Sequence, residues 1–323
     1  MKPLPSYWTF DRFIRKLDNA FLKKLMQSQV LKLSEMGIID TPFIALDSTP
    51  INANTRQNNP KSFAKNKFSK DNQPKSDKDC GLGVHTASNQ HNERNFEYYW
   101  GYKNHILVDC ITGLPIYELT TSANVSDSTV ALDILSQTNS FLSVDECTFL
   151  ADKGYDVKAI YNTVKELYHG DCIIPLNKRN TKDHKKLAGG HPICEAGLAM
   201  HKDGKFSDNG RTRQKYCCPL KSSKCASCPC DHKKWNNGKK HRGCTKYVTV
   251  PDDYRLSIDR ECISFKKLYA LRTEAERLWV HSFNAAQNLN SAAHIALLAV
   301  ALAAIVTKSN SSYRCLKSVK RTA

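Results

Sequence analysis

Three carboxylates stand in separate local frames that could bring them together over a phosphodiester. Asp47 ends the apolar run Phe43-Ile44-Ala45-Leu46 and precedes Ser48-Thr49-Pro50. Asp152 ends Cys147-Thr148-Phe149-Leu150-Ala151 and leads into Lys153-Gly154-Tyr155. Glu276 closes Tyr269-Ala270-Leu271-Arg272-Thr273-Glu274-Ala275-Glu276, which reads as helix. Two strand-end carboxylates and one helical carboxylate are the layout that holds two divalent metals around an in-line displacement. Hard cations such as Mg²⁺ take oxygen ligands, usually carboxylates plus substrate phosphate. Each residue alone has a duller role. Strand-end aspartates cap turns, and Glu274, Glu276 and Arg277 alone would make a helical ion-pair ladder.

The elements that must position these groups follow from pattern. Residues 7–36 carry Phe10, Phe13, Ile14, Leu17, Phe21 and Leu25 at helical spacing, which predicts two helices ending near Gly37. Residues 52–95 are rich in Asn, Lys and Ser, and predict a mobile loop. Residues 97–122 predict two strands joined across Asp109 to Gly113. A helix is predicted from Asp127 to Thr138, a strand over 144–151, a helix from Lys158 to Tyr168, and a last strand at Ile173-Ile174-Pro175. The helical period returns from Ser264 to Val306. On one continuous helix Tyr269, Arg272 and Glu276 fall at i, i+3 and i+7 and share a face. Glu274 is the rival carboxylate, on another face.

The chain resembles the DDE-type transposases of bacterial insertion sequences, in the group with a Tyr-x2-Arg-x3-Glu signature. Tyr269, Arg272 and Glu276 match that spacing. Gly101-Tyr102-Lys103-Asn104-His105-Ile106-Leu107-Val108-Asp109, Thr112-Gly113-Leu114-Pro115 and Thr121-Ser122-Ala123-Asn124-Val125-Ser126-Asp127-Ser128 also resemble family segments. The resemblance covers roughly residues 40 to 300. It implies an α/β, ribonuclease H-like mixed sheet flanked by helices. It implies catalytic, metal-binding Asp47, Asp152 and Glu276 with Mg²⁺ or Mn²⁺, and DNA contacts from Tyr269 and Arg272. It implies cleavage of transposon ends and strand transfer, with a homodimer in the synaptic complex. The family's basic residue seven positions after the glutamate is Phe283 here. The other readings are a nuclease of the same fold without joining activity, and an inactive zinc-stapled DNA-binding remnant.

The resulting organisation is a short helical segment over 1–40, a truncated counterpart of a DNA-binding region, then core over 41–177. A basic Cys-rich insertion over 178–250 follows, then helices completing the core over 251–308 and a basic tail over 309–323. Formal charge is +17. Residues 175–250 hold 18 Lys and Arg against 5 Asp and Glu, so most of the excess sits there. A basic excess this concentrated calls for a polyanion, and DNA fits. In the same stretch Cys225-x2-Cys228 has zinc-knuckle spacing. Cys218, Cys225, Cys228 and Cys230, with Cys244 the substitute for the fourth, are the candidate structural zinc ligands. The segment has too few apolar residues to fold without such a staple.

No signal peptide is legible. The longest apolar stretch, residues 292–306, carries His294 and is too short to span a bilayer. The expectation is a cytoplasmic, nucleoid-associated protein with no membrane partner, whose 13 cysteines are thiols or metal ligands.

Overall fold

The computed structural model describes residues 6–62, 65–88, 94–177, 191–208, 210–222, 243–249, 254–260, 262–276 and 286–306. Two helices open the chain, α1 (Tyr7–Lys16) and α2 (Asn19–Glu35). Asp18 caps α2, its carboxylate accepting from the Ala20 backbone N–H at 2.9 Å. The buried stripe of α2 is Leu22, Met26, Val30 and Leu33. Phe13 and Phe21, read from sequence as part of the apolar face, are exposed.

The central sheet is mixed. Its strands are β1 (Phe43–Asn52), β2 (Gly81–Ser88), β3 (Arg94–Asp109), β4 (Pro115–Ser122), β5 (Thr148–Ala151) and β6 (Asp171–Ile173). The order is β2-β3-β1-β5-β6, with β4 also on β3. β1 pairs antiparallel with β3 and parallel with β5, and β5 pairs parallel with β6. Helices α3 (Asp127–Asn139) and α4 (Lys158–Asn162) lie between the later strands. A π-type turn over Thr163–Leu167 replaces the rest of the helix predicted to Tyr168.

Strand alternation splits the core in two. Ile44, Leu46, Leu107, Phe149 and Ala151 join one buried cluster with Val130, Ile134 and Leu135 of α3 and Ile160 of α4. Ala45, Ile106, Val108, Leu150 and Ile173 join the other, with Phe265 and Ala275. Those two residues belong to α6 (Ile263–Ala270) and α7 (Thr273–Glu276), which follow α5 (Tyr254–Ser257). Helix α8 (Ala286–Val306) packs on α2 and β4. Its Ser291 donates to the buried Glu118 carboxylate, which also accepts from Asn104 Nδ2 at 2.8 Å.

The loop expectation changes as well. Residues 52–95 are not a bare loop. They contain β2, and Ala53, Cys80 and Trp100 form a small core with Phe68, Leu82 and Tyr102 packed around it. The Trp100 indole donates to the Lys67 carbonyl at 2.9 Å, and Asn58 brackets the Trp100 backbone. A few aromatic anchors therefore order a stretch whose overall composition is polar. The insertion region holds a separate three-stranded antiparallel sheet, β7 (His201–Asp208), β8 (Arg211–Cys217) and β9 (Thr245–Thr249). No helix among the described residues is long and apolar enough to cross a membrane.

Candidate active site

Asp47 and Asp152 stand at the same level of two neighbouring parallel strands. The paired positions run from Phe43–Thr148 to Leu46–Ala151, and the two aspartates are the next residue on each side. By alternation they fall on the Ala45 and Leu150 face, where α6 and α7 pack. Asp47 Oδ1 accepts from the Ser48 N–H at 2.9 Å. Asp152 Oδ1 accepts from the Gly154 N–H at 2.7 Å. A Cβ at residue 154 would stand 2.8 Å from that same oxygen, so Asp-x-Gly is a steric requirement of this carboxylate's pose.

The third element reaches this face differently from the sequence expectation. Tyr269, Arg272 and Glu276 do not lie on one continuous helix. α6 ends at Ala270 and α7 begins at Thr273. Across the junction the backbone bonds run i to i−3, from Leu271 to Leu268, Arg272 to Tyr269, Glu274 to Leu271 and Ala275 to Arg272. Such bonds wind the chain tighter than an α-helix and shift the face of every later residue. Arg272 turns inward, with Nη1 3.4 Å from Asp47 Oδ2. Its guanidinium carbon lies 5.5 Å from the centre of the Tyr269 ring. Tyr269 in turn stacks on Phe265, with centroids 6.1 Å apart. Phe265 thus supports Tyr269, Tyr269 supports Arg272, and Arg272 faces Asp47.

Ala275 is buried against the sheet. The charge of the rival Glu274 reaches Cys110, whose N–H bonds to the carbonyl of Phe43 at the start of β1, four residues before Asp47. Glu276 is the last residue of α7, and its side chain lies outside the described residues, as does Phe283. Of the zinc candidates, Cys218 is buried against Leu220 and Cys244, with its N–H bonded to the Cys244 carbonyl at 3.0 Å. Cys225, Cys228 and Cys230 lie outside the described residues. Among the described residues no three His, Cys, Asp or Glu side chains are grouped to hold a metal, and no described cysteine is in a disulfide.

A layer under the aspartates was not assigned a role from sequence. Tyr155 is fully buried, and burial, followed by the charges of Asp127 and Asp47, raises its hydroxyl well above the usual phenol range. Lys103 Nζ bonds Asp127 Oδ1 at 2.9 Å. His105, paired across the strands with Ser48, bonds Thr121 through Nε2 at 2.9 Å. Burial lowers its pKa to about 4, so the ring is neutral. The Thr121-to-Ser128 motif and the Gly101-to-Asp109 motif therefore meet at one place in space, a pairing that separate sequence segments do not display.

A carboxylate pair on adjacent central strands, faced by an arginine from the α6–α7 junction, makes an oxygen-donor cluster on a mixed α/β sheet. Residues 39–279 match the transposase DDE domain, and the chain belongs to that family. No curated protein matches the chain. Among solved structures it is similar to the piggyBac transposase synaptic complex with hairpin DNA, at 10% identity and a TM-score of 0.41, over 96% of this chain and 61% of that one. It is also similar to the Mos1 transposase paired-end complex with left transposon end, at 11% identity and a TM-score of 0.22, over 53% and 44%. The Mos1 strand transfer complex matches at 12% and 0.22, over 49% and 42%. The chain thus spans about three-fifths of the piggyBac length it matches and less than half of Mos1.

Proposed function

We propose that the chain is a DNA transposase that cuts the ends of its element and joins them to target DNA. Asp47, Asp152 and Glu276 are the metal-binding catalytic carboxylates, for Mg²⁺ or Mn²⁺, and Tyr269 and Arg272 contact the DNA backbone. The observation that carries this reading is the placement of Asp47 and Asp152 one step beyond the Leu46–Ala151 pair, with Arg272 beside them. The donors are oxygens, which suits a hard divalent cation and not a soft one. A cation bound there stabilises charge on the attacking and leaving oxygens of an in-line displacement.

The chain's own residues supply position. The Asp47 and Asp152 carboxylates are held by backbone N–H groups of their own turns. Arg272 neutralises Asp47 and is stacked where its planar fork can bind a phosphate oxygen as well. Catalysis is then mainly orientation and charge stabilisation.

The wider reading is a ribonuclease H-like core built from 41–177 and 251–308, preceded by the helical segment over 1–40 and followed by the basic tail over 309–323. The basic insertion over 178–250 is stapled by zinc on Cys218, Cys225, Cys228 and Cys230, with Cys244 beside Cys218 as the alternative fourth ligand. The protein acts as a homodimer on paired DNA ends, in the cytoplasm at the nucleoid. Asp47→Asn tests the reading: it abolishes DNA cleavage and leaves the fold intact. Cleavage at the wild-type rate in that variant would sink it. A strand-transfer assay separates a transposase from a nuclease of the same fold.

A further inference from the structure

β3 is twice as long as most of its neighbours, and its two halves have different surroundings. From Gly101 to Asp109 it lies between β1 and β4. From Arg94 to Trp100 it pairs with β2, so a two-stranded arm projects from the sheet. One face of this arm carries Leu82 opposite Trp100, Val84 opposite Tyr98 and Thr86 opposite Phe96. The ordered stretch after β1 covers the Trp100 end of that face, through Ala53, Cys80 and Phe68. Cover ends at Phe68, which stacks on Tyr98 with centroids 6.5 Å apart and planes at 29°. Beyond it Val84, Tyr98 and Phe96 are 48%, 51% and 58% exposed. An outward row of large apolar groups is unusual on a soluble surface and marks a contact site.

The surroundings of the row decide what it contacts. Lys67 Nζ lies 5.2 Å from the centre of the Phe68 ring. Lys65 and Lys70 flank the same turn and are exposed. Residues 53–80 hold 7 Lys and Arg against 3 Asp, and Asp77 among those acids bonds the Tyr102 hydroxyl instead of a lysine. Aromatic rings in series with a cationic rim form the surface that binds unpaired nucleotides, because every base has a π-face and every linkage a charge. A second copy of the arm would bring the same lysines face to face and be repelled.

We propose that the β2–β3 arm is a stacking platform for unpaired DNA bases, with Phe96 and Tyr98 as the platform and Lys65, Lys67 and Lys70 as its phosphate rim. The platform is remote from the carboxylates. Tyr98 is eight residues along β3 from Ile106, which pairs with Asp47, so the separation is about 26 Å at strand rise. The inference rests on DNA being the partner and on nothing else in the proposed reaction.

The test is binding of the full chain, without metal, to a fluorescein-labelled oligothymidine and to a duplex of the same length. Phe96→Ala with Tyr98→Ala is expected to weaken oligothymidine binding about tenfold or more and duplex binding less than about threefold. Tyr98→Trp is expected to keep the single-strand affinity, since it keeps the π-face. Replacing Lys65, Lys67 and Lys70 by Gln is expected to flatten the salt dependence. Unchanged oligothymidine affinity in the double variant, or no binding by the wild type, overturns the platform. So does conversion of a wild-type dimer to monomer with single-strand affinity intact, which makes the arm a self-association surface. A chain that binds oligothymidine through these rings and never cleaves DNA contradicts the proposed reaction and leaves the platform standing.

Discussion

Arg272 Nη1 lies 3.4 Å from Asp47 Oδ2, joining two residues 225 positions apart, and both side chains are mostly buried. The contact ties the α6–α7 junction to the central strand. It also sets the charge of the site, since a carboxylate sheltered from water is costly unless paired. Arg272→Ala is expected to lower DNA cleavage about 10²-fold or more, as loss of a charge-stabilising donor does. Arg272→Lys is expected to recover little, because an ammonium lacks the planar fork. Single-turnover cleavage of labelled DNA measures both. A fully active Arg272→Ala would remove the arginine from the mechanism.

Gly154 gives a second, subtler handle. An alanine there meets Asp152 Oδ1, the oxygen already bonded to the residue 154 N–H. Displacing the carboxylate by a fraction of an ångström to an ångström is expected to slow cleavage about 10- to 100-fold. The melting temperature should change little, because residue 154 lies at an exposed turn. A melting temperature that falls in step with activity would point to misfolding instead.

His294 predicts a pH dependence of stability. It is buried in α8, and burial lowers its pKa to about 4 from 6.5. Between those values the unfolded chain takes up a proton that the folded chain refuses. The stability is therefore present above about pH 6.5 and lost as pH falls toward 4. His105, also near 4, acts in the same direction. Glu118 acts the opposite way, because burial raises its pKa and acidification relieves the buried charge. His294→Leu is expected to flatten the fall of melting temperature between pH 6.5 and 5. An unchanged slope in that variant contradicts the assignment.

The placement of Asp47 and Asp152 was legible because each directly follows a short apolar run, although β1 continues past Asp47 to Asn52. Alternation alone puts Asp47 and Asp152 on one face once the strands are parallel neighbours. The break between α6 and α7 was not legible. Tyr269 to Glu276 contains no Gly or Pro, and the tightened stretch leads to Ala275, which is buried in the same cluster as Ala45 and Ile106. Nor was the ordering of residues 52–95 visible, since composition averages hide single anchors such as Trp100 and Asn58. The meeting of His105, Asp127 and Tyr155 depends on strand pairing over long sequence separations, which local pattern does not encode.

The zinc proposal makes a compositional prediction. Protein purified in reducing, chelator-free buffer is expected to carry about one zinc per chain, and Cys228→Ser is expected to lose it. Cys218→Ser should release it as well, loosening the β8–β9 connection where Cys218 meets Cys244. Elemental analysis that finds no zinc in the wild type removes the staple.

The most direct measurement is cleavage of DNA bearing the element's own ends, with Mg²⁺ or Mn²⁺, by wild type and Asp152→Ala. The account predicts metal-dependent nicking at the ends by the wild type and none by the variant, with both proteins folded and binding the ends alike. Equal cleavage by the two would mark a contaminating nuclease. No cleavage by either, with end-specific binding intact, would mark a DNA-binding remnant and contradict the account.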